Sequence, residues 1–190
     1  MEDGVGIVAI IDAERARYVS FYCLAKAQLG NEGTEVAGEL LISINNDAIP
    51  YPYRYFRADL VAKDKSGSPQ ISEVRIDPDN AFQPLGFDFG AFEVEIYPLT
   101  WCSIQFVFDK LPEHSNLIES WIEKWLDLDD RNADGESGLA GAIHSATPIE
   151  TNGTWWFMTA DFGTAPVEAV IELIELLAEQ GSTRVILKAG

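Results

Sequence analysis

Cys102, His144 and Asp161 supply a thiol, an imidazole and a carboxylate in that chain order. Those three groups support nucleophilic acyl transfer: the thiolate attacks a carbonyl, the imidazole acts as base, and the carboxylate fixes its tautomer. A second set, Asp130, Asn132 and Asp134 followed by Gly135, has the D-x-[DN]-x-[DN]-G spacing that opens a calcium loop, with Glu136 adjoining it. The bidentate Glu that should close such a loop is replaced by Gly141, so an ordinary loop is expected there. With two histidines and no HExxH, neither a zinc site nor any other cofactor is expected. A third set is a row of carboxylates. Glu168, Glu172, Glu175 and Glu179 recur at helical spacing, and Glu119, Glu123 and Asp127 repeat the theme, relieved only by Lys124. Like charges at this spacing destabilise a helix by about 0.2–0.5 kcal/mol per pair, and no lysine in the local sequence is placed to offset the first row.

The rows belong to a wider bias. From Asn132 to Thr183 the chain runs 52 residues with eight carboxylates and no Lys or Arg. Most of the net charge of −18 therefore sits in the second half. Such a field repels nucleic acid and anionic lipid and speeds encounter with a basic partner. At 47% hydrophobic and 11% aromatic content, the chain can still bury a core, which argues against an acidic disordered tail. The acidic start and the shortness of the apolar runs point away from a secretory signal or a membrane span. Two cysteines make no disulfide framework, so a cytoplasmic protein with free thiols is expected.

The order Cys102, His144, Asp161, with the hairpin Asn152-Gly153-Thr154-Trp155-Trp156 between the last two, resembles transglutaminase-like and arylamine-acetyltransferase-like cysteine enzymes. The resemblance implies Cys102 as nucleophile, His144 as base and Asp161 as its orienting carboxylate. Those families place the nucleophile at a helix N-terminus, where the dipole lowers the thiol pKa. Here Cys102 lies in Trp-Cys-Ser-Ile-Gln-Phe-Val-Phe, which reads as a strand. The composition favours a small core residue instead, buried away from His144 and Asp161.

The elements that would position these groups fall into two sections. Residues 5–11 read as a short buried strand. Residues 13–29 fit either a helix capped by Asp12 or a strand over 18–24. Residues 34–44, 53–62 and 70–76 read as strands separated by turn chemistry, and Asp77-Pro78-Asp79-Asn80 marks a boundary. From residue 92 the order is ββαββαβ. Strands over 92–97 and 101–108 precede a helix capped by Ser115 with the stripe Ile118, Trp121, Ile122, Trp125 and Leu128. Strands over 142–149 and 155–160 then lead to a helix opened by Thr164 and Pro166, with Val167, Val170, Ile171, Ile174 and Leu177 inward. A strand over 184–188 ends the chain.

The expected fold is α+β, mostly antiparallel, with two amphipathic helices on one sheet face in the C-terminal half. A β-rich lobe over 1–80 and an α+β lobe over 81–190 would pack as one unit. The expected function is binding through an acidic surface: an inhibitor, immunity-type or anti-defence protein that masks a basic site on a protein partner. It would not touch nucleic acid or membrane directly, and a homo-oligomer is compatible with it. The docking residues would be Glu168, Glu172, Glu175 and Glu179 with Glu119, Glu123 and Asp127. The alternatives are a small cysteine acyl-transfer or hydrolytic enzyme, and a structural or assembly subunit.

Overall fold

A computed structural model describes residues 6–31, 35–63, 66–133 and 137–190. The fold is α+β. Among the described residues, three helices accompany a small antiparallel sheet and a larger mixed one.

The chain opens with helix α1, Ile7–Asn31. The β-branched run at its start is therefore helical, correcting the strand expected over residues 5–11; Met1 to Val5 lie outside the described residues. Ile11, Tyr18 and Tyr22 form its inward stripe, each almost fully buried, while Val8, Phe21 and Leu24 stay exposed. Spacings of seven and four residues keep one stripe inward, and tertiary burial overrides the local β preference of the run.

Strands β1 (Val36–Ser43), β2 (Tyr55–Lys63) and β3 (Pro69–Ser72) form the small sheet in the order β1-β2-β3. They fall where residue patterning puts them. β2 is buried on both faces, because α1 and α2 lie on it and β7 adjoins it.

The larger sheet runs β4-β5-β10-β6-β9-β7, with β8 also on β9. Its members are β4 (Leu85–Asp88), β5 (Glu93–Ile96), β6 (Ile104–Phe108), β7 (Ser145–Ala146), β8 (Glu150–Thr151), β9 (Trp156–Asp161) and β10 (Arg184–Ala189). Among the described residues the one parallel pairing is β5 with β10; the rest are antiparallel. Strand β4 carries little apolar signal, being an edge strand with exposed side chains. The strand expected over 142–149 resolves into β7 and β8, two short pieces along one edge.

Helices α2 (Ser115–Leu126) and α3 (Val167–Glu179) pack on each other, with the Trp121 Nε1–H donating to the Ala169 carbonyl at 3.0 Å. Neither has a side-chain cap. The residue before α2 is His114 rather than Ser115, which is the first helical residue. The inward face of α3 is Val167, Ala169, Val170, Leu173, Ile174 and Leu177, so Leu173 rather than Ile171 occupies the deep position. Phe162, in the turn before α3, sits at the centre of the core against Trp101, Phe106 and Trp121. The core is continuous from α1 through both sheets, so the two expected lobes share one interior.

Candidate functional site

Two sheets meet at His144. Its carbonyl accepts from the Arg57 N–H of β2 at 2.7 Å, and its own N–H donates to the Asp161 carbonyl at the end of β9, at 2.8 Å. The segment before β7 thus stitches the small sheet to the large one, and this fixes the imidazole between them. The ring is almost wholly buried.

Three carboxylates surround that ring. Nε2 lies 3.0 Å from Glu39 Oε1, Nδ1 lies 2.5 Å from Asp59 Oδ1, and Asp161 Oδ1 is 3.9 Å from Nδ1. The Glu39 contact is a well-aligned hydrogen bond. The Asp59 contact is an ion pair in which Nδ1 makes no hydrogen bond. Burial works against a charged imidazole, yet Asp59 and Glu39 outweigh it and raise the His144 pKa to about 10.

Each carboxylate is itself held. Glu39 stands in β1 at φ 51, opposite Asp59, at the one interruption of the β1–β2 ladder. Left-handed backbone at a non-glycine residue costs about 1–3 kcal/mol. The distortion is sustained by contacts to its carboxylate from the Thr164 hydroxyl at 2.5 Å and the Ala140 N–H at 2.7 Å. Asp59 accepts from the Tyr18 hydroxyl at 3.0 Å and the Val74 N–H at 2.5 Å. Burial raises the carboxyl pKa of both Glu39 and Asp59, but the close contact and charge of His144, with the donors just named, prevail and hold them below the usual range. Asp161 has fewer such bonds. Burial, resisted by the His144 charge, pushes its carboxyl up to about 7.

The group forms part of the wall of a cleft of about 700 Å³. Asp59, His144 and Asp161 line it, as do Thr100, Cys102 and the ion-paired Arg75. Structure therefore brings Cys102, His144 and Asp161 to one cavity, which corrects the expectation of a core thiol remote from the other two. Cys102 is partly exposed and lies in the tight turn before β6, not in a strand, with its sulfur 3.2 Å from the Thr100 hydroxyl. No hydrogen bond links Cys102 to His144, whose two ring nitrogens face Glu39 and Asp59. The helix N-terminus that would activate the thiol is missing from this turn. Sequence reasoning missed Glu39, Asp59 and Thr164. The usable signal was a pair of charges, Arg57 and Asp59, inside a strand that is otherwise apolar.

The loop after α2 is organised by Arg57 instead of a cation. The buried guanidinium donates to the Leu126 carbonyl at 2.9 Å, the Glu39 carbonyl at 3.0 Å and the Asp127 carbonyl at 2.5 Å, and it pairs with Asp130 Oδ1 at 2.8 Å. Asp130 is thus committed to a cation of the protein's own. Asn132 donates its N–H to Asp127 Oδ2 at 2.7 Å. Asp134 and Glu136, with Gly135, lie outside the described residues.

The carboxylate rows are mostly at the surface. Glu168, Glu175, Glu179 and Glu123 are exposed, and Glu119 and Glu172 are half-buried. Glu172 is paired after all: Lys124 of α2 reaches it at 2.5 Å, and the Trp125 Nε1–H donates to it at 2.9 Å. Helix-on-helix packing supplies what spacing along one helix did not show. Asp127 departs from its row; it is buried, with φ 49, and it ends α2.

No known family model, curated protein or solved structure matches this chain. The order of Cys102, His144 and Asp161 accordingly brings no family with it, and function rests on the geometry.

Proposed function

We propose that this protein is an acidic binding protein that masks a basic site on a protein partner, in the manner of an inhibitor, an immunity protein or an anti-defence protein. One observation carries the reading: a groove of about 360 Å³ between α2 and α3. Leu117, Trp121 and Leu176 give it an apolar floor, while Glu172, Glu175 and Glu179 stand along it. A cationic segment with apolar residues on its other face complements that layout: the apolar side chains fill the floor and Lys or Arg meets the rim. Lys124 is the one basic residue lining the groove, and it is already tied to Glu172.

No helix among the described residues is long and apolar enough to cross a membrane. The net charge disfavours direct contact with nucleic acid. Both cysteines are free, which accords with a cytoplasmic setting. A homo-oligomer is compatible with the surface.

The test is capture from native lysate on immobilised wild-type protein beside the Glu175→Lys/Glu179→Lys variant. The expected result is a basic protein retained by the wild type and lost with the variant. Equal retention by both would remove this groove from the interface.

A cysteine acyl-transfer or hydrolytic enzyme is the second reading, favoured by Cys102, His144 and Asp161 facing one cleft. The carboxylates on both ring nitrogens weigh against it, because an imidazole acting as base for Cys102 needs a nitrogen turned to the thiol.

A further inference from the structure

We propose that Asp59, His144 and Asp161 form the binding site for one divalent first-row transition-metal cation on the wall of the cleft, with Glu39 as the positioning residue behind the imidazole. The site is separate from the α2–α3 groove and does not depend on the docking reading.

Three observations lead there. First, one ligand atom from each of the three residues lies within 4.8 Å of the other two. Ligand atoms bonded to one ion at about 2.0–2.2 Å stand about 3–4 Å apart, so the ion enters as the 2.5 Å contact between Nδ1 and Asp59 opens. Second, Nδ1 is a buried nitrogen that contacts the Asp59 carboxylate as an ion pair but makes no hydrogen bond, and it belongs to a residue that lines the cleft. Buried polar atoms are rarely left in this state. Third, the opposite nitrogen is bonded to Glu39, which is fixed in turn by Thr164 and Ala140. A carboxylate on the far side of a ligating histidine sets the tautomer, here Nε2–H, and leaves the Nδ1 lone pair for the ion.

Charge points the same way. Glu39, Asp59 and Asp161 surround one imidazole. With all three carboxylates ionised, an imidazolium leaves two negative charges uncompensated there, whereas a divalent cation with a neutral imidazole leaves one. Binding exchanges the Nδ1 proton, released to solvent, for the ion. No bond other than coordination forms, and no oxidation is involved.

The donor set selects the class of ion. One imidazole nitrogen with two carboxylates suits Zn²⁺, Mn²⁺ or Fe²⁺ better than Ca²⁺ or Mg²⁺, which favour all-oxygen shells. The ligands occupy one side of the ion, and its other positions open toward the cleft, where water or an anionic or carbonyl ligand would complete the coordination.

The experiment strips the protein with chelator and titrates Mn²⁺ and Zn²⁺ by calorimetry, with Mg²⁺ as control. Three proteins are compared: wild type, Asp161→Asn, and Glu39→Gln. The expected result is one equivalent of Mn²⁺ or Zn²⁺ bound by the wild type, with much weaker Mg²⁺ binding. Asp161→Asn removes a ligand at a partly exposed position and should weaken binding at least tenfold while circular dichroism stays native. Glu39→Gln should lose about 10–100-fold, the range for an outer-shell partner, measured on the fraction that circular dichroism shows to be natively folded. Nitrogen NMR should show one protonated His144 nitrogen in the loaded protein. Any of four results overturns the proposal: no binding by folded wild type at millimolar metal, affinity unaffected by Asp161→Asn, Mg²⁺ binding equal to Mn²⁺, or two protonated His144 nitrogens at saturation.

Discussion

At the scale of single residues, the triplet Asp-Phe-Gly occurs twice and folds locally the same way both times. Asp88 Oδ1 accepts from the Gly90 N–H at 2.7 Å, and Asp161 Oδ1 from the Gly163 N–H at 2.9 Å. Both glycines have positive φ, 86° and 46°. The surroundings differ entirely. Phe89 is exposed at the surface, while Phe162 is fully buried. A Cβ on Gly90 meets open space, but one on Gly163 would overlap the His144 ring. Gly163→Ala is therefore expected to cost well beyond the roughly 1–3 kcal/mol of backbone strain alone, and Gly90→Ala only that strain. Urea unfolding of the two variants should separate them. Asp109 provides a pH-dependent contribution away from the cleft. Burial raises its carboxyl pKa, but the Thr183 hydroxyl at 2.5 Å, the Thr183 N–H at 3.0 Å and the Arg184 N–H at 3.3 Å hold it below the usual 3.8. A depressed folded pKa gives stability that is present above the unfolded value and lost as pH falls through the folded one. Asp109→Asn should cost about 1 kcal/mol near neutral pH, allowing for its exposure, and the gap to wild type should close below pH 3.8. Thermal melts across that range provide the check.

At the scale of elements, α3 was legible because its apolar positions recur at helical spacing and its polar ones do not interrupt them. Ile174 is 6% exposed, so Ile174→Ala should destabilise by about 2–5 kcal/mol in chemical denaturation, by leaving a cavity. Helix α1 was harder to read. Its first residues are β-branched, its outer face carries Val8, Phe21 and Leu24, and its apolar residues surround the axis instead of lying on one side. Without a strong periodic contrast, propensity suggests a strand, and only the packing of Tyr18 and Tyr22 under β2 decides for the helix. Cys102 shows the same limit. Its aromatic neighbours read as strand, but the bridge between Thr100 and Ser103 folds the segment into a turn and opens the thiol to the cleft.

At the scale of the whole molecule, a net charge of −18 surrounds an apolar core that is broken by the buried charges around His144 and Arg57. The carboxylates on the α2–α3 surface contribute little to folding. Reversing Glu175 and Glu179 to Lys should leave stability within about 1 kcal/mol of wild type, or raise it slightly by relieving repulsion. Association with a cationic partner should slow as salt rises from low to physiological strength, because a Debye length of about 8 Å screens the long-range field. Stopped-flow association at two ionic strengths measures this. A rate indifferent to salt and to the reversal would leave the acidity as a solubility device.

The α+β class, the acidic surface and the strand and helix order from residue 92, except for the strand that divides into β7 and β8, were legible in local patterning, because side-chain period and charge are properties of neighbouring residues. Glu39, Asp59, His144, Asp161 and Thr164 are separated by up to 125 positions and share no spacing that sequence could display. Their meeting depends on β1 and β2 placing two carboxylates on the His144 segment, and on that segment bonding to the end of β9. The pairing of Lys124 with Glu172 likewise needed α2 to lie on α3. A buried charge is stable only beside its partners, and which residues become partners is set by the contacts of the folded chain.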